Sequence, residues 1–348
     1  MTAIELLYDM ETELLANLVR SLARGDVGSA AWAAKKLGDL GIVSARNAQA
    51  VRRALKKALP LIQAEVRGHG IKAASTIDRY LDGLQLSEVL PFDASQAVVD
   101  TLATWEGKAT TAIEKMGTTL LDGTEAMYVD AIEKASAQVL IGAKSGREAI
   151  ASVARSWADA GIAGLVDGAG RQWSVEAYAS MVVRSNVRNV VTDTQMARCA
   201  DFGVDLVEVS SHVGARPGCA PYQGRIYSLS GASTEYPPLS STSYGQPAGL
   251  FGINCGHQMY PYIPGASTRT FKPVPTRENE KAYETSQEQR ALERAIRKSR
   301  REVAAMEALG DEGEIRKAKE KLARRRDAMN QFIDESGRTR RLDRERIF

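Results

Sequence analysis

The stretch IELLYDMETELLANLVRSL, residues 4–22, sets the reading of the whole chain. Leu6, Leu7, Met10, Leu14, Leu15, Leu18 and Leu22 recur at three- and four-residue spacing, which lines one face of a helix with 3.6 residues per turn. Gly25 and Gly28 end that element, and Ala30 to Leu40 supplies the next. A third helical stretch runs from Ala48 to Val66, where Pro60 is expected to kink or divide it by removing an N–H and crowding the preceding turn. Gly68-His69-Gly70 reads as a break, and Pro91-Phe92-Asp93 as a stop with Asp93 placed to cap the next helix. The pattern is helical again from Ala94 to Val139, with interruptions expected near Gly117 and Gly123. Lys144-Ser145-Gly146 makes a turn before a short amphipathic helix, Arg147 to Ala160. Residues 1–160 thus form a helical N-terminal region with alternating apolar and charged faces, as a bundle or a packing arm requires.

Composition bounds the rest. A chain of 348 residues exceeds one comfortable core, so two or three units are expected. Hydrophobic residues at 44% and charged residues at 26% fit a soluble globular protein, and aromatics at only 6% favour helix packing over sheet. A formal charge of +3 gives no general affinity for nucleic acid. Three cysteines, Cys199, Cys219 and Cys255, are too few for a disulfide framework and suit free thiols in a reduced compartment or metal ligands. The N-terminus does not read as a signal peptide, and no uninterrupted run of about 18 apolar residues appears. The expectation is a protein made in a cytoplasm, with no membrane partner.

The character changes after Gly161. Glycines at 161, 164, 168 and 170 mark a loop or ribbon, with Ile162 to Val166 a short strand; Gly168-Ala169-Gly170 is too short for a nucleotide signature. Trp173-Ser174 leads into a helix from Val175 to about Phe202. Its inner face carries Tyr178, Met181, Val182, Val187, Val191 and Met196, while Arg184, Arg188 and Arg198 point elsewhere. Val204 to Val209 suits a strand with one buried face. Ser210 to Ser267 is rich in Gly, Pro, Ser and Tyr, with short strands near Arg225–Leu229 and Met259–Ile263; so long a loop-rich stretch calls for a function or a clamp. Residues 161–275 form this α+β module. In residues 276–348, 20 Lys and Arg stand against 16 Asp and Glu. Leu292, Ile296, Ser299, Val303 and Met306 make a seam that restarts at Ile315, Ala318, Leu322, Met329 and Phe332, a helical hairpin about fifty residues long. A basic tail follows from Arg338 to Arg346. The fold class is mainly α with a small α+β module: helical N-terminal region, His/Cys-containing loop-rich module, C-terminal helical hairpin.

Two of the three histidines and two of the three cysteines fall in the loop-rich module. His212, Cys219, Cys255 and His257 together offer two nitrogens and two sulfurs, a tetrahedral set that suits structural zinc, and a metal can replace missing core. Cys-x-His alternates across a strand unless a turn intervenes, which Asn254 and Gly256 can supply. The plainer alternative makes Cys255 a small buried residue and ties the histidines to loop carbonyls. A catalytic alternative sets His212, His257, Arg216 and Gln223 around a phosphate, as in a metal-independent nuclease, or pairs Cys255 with His257 as nucleophile and base. Ser241-Thr242-Ser243 is similar to a strand motif of ADP-ribosyltransferases, but no Glu-x-Glu follows. Arg216, held extended by Pro217, is expected to bridge loop carbonyls. Arg324-Arg325-Arg326 and the tail read first as a solvated helical surface and second as phosphate contacts.

The run Ser211-His212-Val213-Gly214-Ala215-Arg216-Pro217-Gly218-Cys219-Ala220-Pro221-Tyr222-Gln223-Gly224 carries a resemblance. It is followed by Tyr244-Gly245, Gly249-Leu250 and Gly252-Ile253-Asn254-Cys255-Gly256-His257, with Tyr178, Met181, Arg184 and Asn189 upstream. The arrangement resembles the phage minor capsid protein 2 family, related to the Mu F-like head-morphogenesis proteins. One departure is Gly218-Cys219, where the family pattern favours Ser followed by His. The resemblance implies a low-copy structural component of the phage head rather than an enzyme. Its implied partners are the portal or major capsid protein, with contact to packaged DNA, and its implied place is the head interior, assembled in the host cytoplasm. The rivals are a virion-carried enzyme, nuclease or ADP-ribosyltransferase-like, and a DNA-binding ejection factor.

Overall fold

Thr2 starts the first helix with a capping box. Its hydroxyl accepts the Glu5 N–H and the Glu5 carboxylate accepts the Thr2 N–H, which satisfies donors that a helix start leaves bare. The computed structural model describes residues 2–84, 91–168 and 170–346. Its elements in chain order are α1 (Ala3–Leu22), α2 (Ala30–Gly38), α3 (Leu40–Gly83), α4 (Gln96–Leu140), α5 (Gly146–Ala160), β1 (Ala163–Val166), β2 (Gln172–Ser174), α6 (Val175–Asp201), β3 (Leu206–Val209), β4 (Ile226–Ser228), β5 (Met259–Pro261), α7 (Thr276–Leu309) and α8 (Glu312–Ser336). The architecture is mainly α with a small α+β part, as the periodicity indicated. Two compact units share the chain: residues 1–59, 113–180 and 288–348 make the first, residues 60–112 and 181–287 the second.

In the first unit α1 buries Leu7, Met10, Leu14, Leu18 and Leu22 completely or nearly so, each worth about 1.5–3 kcal/mol relative to exposure. Beside that apolar stripe sits a buried charge cluster. The Glu11 carboxylate accepts the Ile162 N–H at 2.9 Å and lies 4.0 Å from Arg301, whose guanidinium also reaches Glu176 at 3.0 Å and the Ala158 carbonyl at 3.0 Å. Ser145 and Glu148 cap α5 reciprocally. Strands β1 and β2 form an antiparallel ribbon, tied at its turn by Asp167, which accepts from the Arg171 and Trp173 side chains; Ala169 lies outside the described residues. Gly310 at φ +73 and the Asp311 cap join α7 to α8. Ile296, Ser299, Met306, Ala318 and Met329 are buried, so the hairpin's seam closes within its own unit. The basic tail folds back: Arg340 pairs with Glu345, Arg341 with Asp343, and Arg338 donates to Gln289.

Several glycines and one proline behave differently from the sequence expectation. Pro60 and Gly68-His69-Gly70 lie inside the uninterrupted α3, and Gly117 and Gly123 inside α4. The proline costs an interior helix about 3 kcal/mol, but Ala58, Ile62 and Val66 on either side of it are fully buried and offset that cost. Gly70 serves packing: a Cβ there would sit 2.3 Å from Leu102 and 2.9 Å from Val190. Gly117 likewise faces Leu55 and Val51 in the first unit. These glycines let helices approach closely, and a sequence pattern cannot distinguish that use from a break.

In the second unit, Arg198 is turned inward rather than out, at 1% exposure. Its guanidinium pairs with Asp78 at 2.5 Å and Asp201 at 2.8 Å and lies over the Phe202 ring. The three-stranded sheet has β3 at its centre, antiparallel to β4 through Glu208↔Ile226 and to β5 through Glu208↔Tyr260. Both faces of β3 are covered. Val207 and Val209 join a cluster with Cys199, Cys219, Leu250, Cys255 and Met259, while the buried Glu208 carboxylate accepts the N–H groups of Thr270 and Phe271.

Candidate metal centre

The sheet's register carries the candidate ligands to one end of it. Beyond Val209 the backbone keeps pairing on both sides. Ser210 donates to the Gln258 carbonyl at 2.8 Å, Val209 donates to Arg225 at 2.9 Å, and Gly224 donates back to Val209 at 3.0 Å. His212, Gln223 and His257 therefore arrive side by side. Gly256 is needed opposite His212, since a Cβ there would lie 2.9 Å from His212 Nε2. Asn254 takes the left-handed conformation, φ +56, and supplies the turn that puts Cys255 and His257 on the same side, with Sγ and Nδ1 3.4 Å apart. Asparagine tolerates that region better than most residues.

Cys219 comes from the other direction, as the cap of a 3-10 turn at 220–222. Arg216 fixes the loop around it, donating to the Gly249 carbonyl at 2.6 Å, the Ile253 carbonyl at 2.5 Å and Cys219 Sγ at 3.2 Å. The expected bridging role of Arg216-Pro217 is thus what the structure shows. Backbones meet so closely here that a Cβ on Gly249 would fall 1.8 Å from the Ser243 carbonyl oxygen.

The outcome is a buried triad. Ligand atoms of Cys219, Cys255 and His257 lie within 4.8 Å of one another, with the two sulfurs 3.8 Å apart; the three side chains are close enough to hold a metal. His212 stands beside this group rather than in it. Its ring stacks on His257 with centroids 4.5 Å apart, and its Nδ1 lies 3.3 Å from the Val213 carbonyl. Burial, then the His257 charge, pushes the His212 pKa down.

Gln223 is the residue whose role the sequence did not disclose. It is fully buried, and its Oε1 accepts the His212 N–H at 3.0 Å and faces His257 Nε2 at 3.2 Å. An oxygen can only accept, so His257 holds a proton on Nε2, which leaves Nδ1, the nitrogen facing the sulfurs, as the one to bind a metal. That is the tautomer a metal ligand needs, oriented by a neighbour behind it. Between the sulfurs the proton stays on Cys219: its hydrogen bond to Cys255, then burial, raises its pKa, while the same hydrogen bond, helped by His257, holds Cys255 well below the usual thiol range. Cys199, in the same apolar cluster, is pushed up to about 12 by burial.

The ADP-ribosyltransferase-like motif finds its groups committed elsewhere. Ser241 and Thr242 lie in and just after a 3-10 turn, not a strand, and both hydroxyls donate to carbonyls of that turn. Ser243 donates to the Gly218 carbonyl. Among the described residues no helix is long and apolar enough to cross a membrane.

Comparison with known proteins adds the missing context. A protein named "Structural protein" from Lactococcus phage LL-H is 27% identical over 327 residues, covering 90% of this chain and 88% of the relative. Another of that name, from Lactococcus phage mv4, is 33% identical over 114 residues, 32% of this chain and 93% of the relative. No solved structure matches the chain. The family described as Phage minor capsid protein 2 matches residues 1–334, and with nearly its whole length so covered the chain belongs to that family.

Proposed function

We propose that this chain is a low-copy structural component of a tailed-phage head, bound to the portal or the inner shell and not an enzyme. The family match over residues 1–334 carries the reading. The helical N-terminal region, 1–160, and the hairpin with its tail, 276–348, serve docking, and the module at 161–275 supplies a rigid element. Contact with packaged DNA falls to Arg324, Arg325 and Arg326, which are exposed on α8, because Arg338, Arg340 and Arg341 are engaged by Gln289, Glu345 and Asp343. In purified particles the chain should appear at a small fraction of the major shell protein, and it should co-purify with the portal when the two are co-expressed. Absence from heads, or nuclease or ADP-ribosyl transfer activity lost in His257→Ala, would overturn the reading.

Within the module we infer a structural zinc on Cys219, Cys255 and His257, with His212 as the fourth ligand once its ring turns out of the stack. A tetrahedral zinc with bonds of about 2.3 Å to sulfur and 2.0 Å to nitrogen has S···S and S···N edges of about 3.8 and 3.5 Å. The separations of 3.8 Å and 3.4 Å here support that set. Bound there, the ion would supply cross-linking in place of core. The purified chain should carry about one zinc, and a chelator should lower its melting temperature. A chain that takes up no zinc on reconstitution refutes the assignment.

A further inference from the structure

Cys219 and Cys255 are brought into sulfur–sulfur contact from opposite ends of a long loop. The Sγ atoms are 3.8 Å apart, and the two residues are 1% and 3% exposed. Cys199 shares their apolar cluster but lies outside the group whose ligand atoms fall within 4.8 Å of one another. Neither member of the pair is locked in a strand: Cys219 caps a 3-10 turn, and Cys255 follows the left-handed Asn254. We propose that this pair is an oxidation site, a dithiol that a small peroxide converts to an intramolecular disulfide.

An S–S bond is about 2.05 Å long, so the sulfurs have to close by about 1.8 Å, within reach of rotation about the two Cα–Cβ bonds and slight loop movement. In the first step one thiol displaces water from hydrogen peroxide; the sulfur is oxidised to a sulfenic acid and the O–O bond breaks. In the second step the other thiol attacks that sulfur, forming the S–S bond and releasing a second water. Peroxide takes up the two electrons, and the Cys219 proton leaves in the two waters together with one that solvent supplies when Cys255 reacts as the thiolate. Burial selects the oxidant. A water-sized peroxide is the oxidant this enclosure hinders least, whereas a bulky disulfide such as oxidised glutathione would have to open the loop that Arg216 ties down.

The proposal rests on the geometry of the pair and does not need the metal. Zinc on the same sulfurs would block it, so the two states exclude one another. A protein assembled in a reducing compartment and later released to air would meet the oxidant only after release.

The test uses the full chain, stripped of metal with a chelator, reduced, and then exposed to hydrogen peroxide. Mass spectrometry of the intact chain should show loss of two hydrogens, and non-reducing peptide maps should show one cross-link, Cys219 to Cys255. The cross-link should persist in Cys199→Ser, and oxidised glutathione should leave no adduct on either cysteine. In Cys219→Ser, a sulfenic-acid trap should label Cys255; should that variant fail to fold, the wild-type map still decides. Sulfinic or sulfonic acid without the cross-link, or a cross-link to Cys199, overturns the proposal. Zinc content is read on the same preparation before stripping. A chain without zinc that forms the bond retires the metal and keeps the oxidation site; a zinc-binding chain that never forms it does the reverse.

Discussion

Replacing Glu11 by glutamine should make the protein more stable at neutral and higher pH, although it removes one side of a buried ion pair. Burial raises the Glu11 pKa from 4.5 to about 7, and the opposing pull of Arg301 and the Ile162 N–H does not cancel it. Below pH 4.5 the carboxyl is protonated in both folded and unfolded chains, and the pH has no effect through this group. Between pH 4.5 and about 7 the folded chain holds a proton that the unfolded chain has lost, so stability falls as pH rises. Above pH 7 the full cost is in place, about 3 kcal/mol at 1.4 kcal/mol per pKa unit. Glutamine keeps the acceptor for Ile162 and never ionises. Arg301 is not stranded, because Glu176 and the Ala158 carbonyl still hold it. For a unit of this size ~3 kcal/mol corresponds to a rise in melting temperature of roughly 6–12 °C. Thermal melts of wild type and Glu11→Gln at pH 8 should differ by that amount and converge near pH 4.5. A variant that melts lower than wild type at pH 8 would mean the pair's attraction outweighs its desolvation, and the reasoning fails.

Removing the amide behind His257 with Gln223→Ala should weaken zinc binding roughly 10–100-fold, measured by competition with a chromophoric chelator; equal affinity would detach Gln223 from the site. Arg198→Met leaves Asp78 and Asp201 facing a neutral side chain. Both acids keep some access to water, so about 2–3 kcal/mol of stability should be lost, read from urea unfolding, and an unchanged midpoint would refute the buried pairing. Gly249→Ala should cost about 3 kcal/mol or more because backbone must move, while Gly168→Ala, with open space around it, should stay within about 0.5 kcal/mol of wild type by the same measurement.

The sequence disclosed most where a repeat encodes the contact. The stripe from Leu6 to Leu22 named the core face of α1, and the gap in the seam between Met306 and Ile315 marked the turn between α7 and α8. The residues around Cys219 and Cys255 pointed to side chains that do come together, because rare residue types at fixed offsets survive as a pattern even where the loop has none. What stayed hidden depends on partners distant in the chain. Arg198 looked like a surface charge because Asp78 is far upstream. Gly70 looked like a break because Leu102 and Val190, which need its missing side chain, belong to other helices. His212 was counted with the sulfurs on composition, yet the register with Gly256 decides which face of His257 it meets. Gln223 stood in the resemblance run and beside His212, His257 and Arg216 around an imagined phosphate, but nothing in the sequence pointed to its place behind the His257 ring.

The first unit is woven from three stretches, residues 1–59, 113–180 and 288–348, and this has a consequence for biogenesis. During synthesis the leucine stripe of α1 leaves the ribosome long before Arg301 and the hairpin exist to cover their share of that unit. Such long-range closure is slow and leaves apolar surface open to wrong partners meanwhile. A ribosome that stops before residue 288 therefore releases a chain with one unit unfinished, rather than a shortened but serviceable protein.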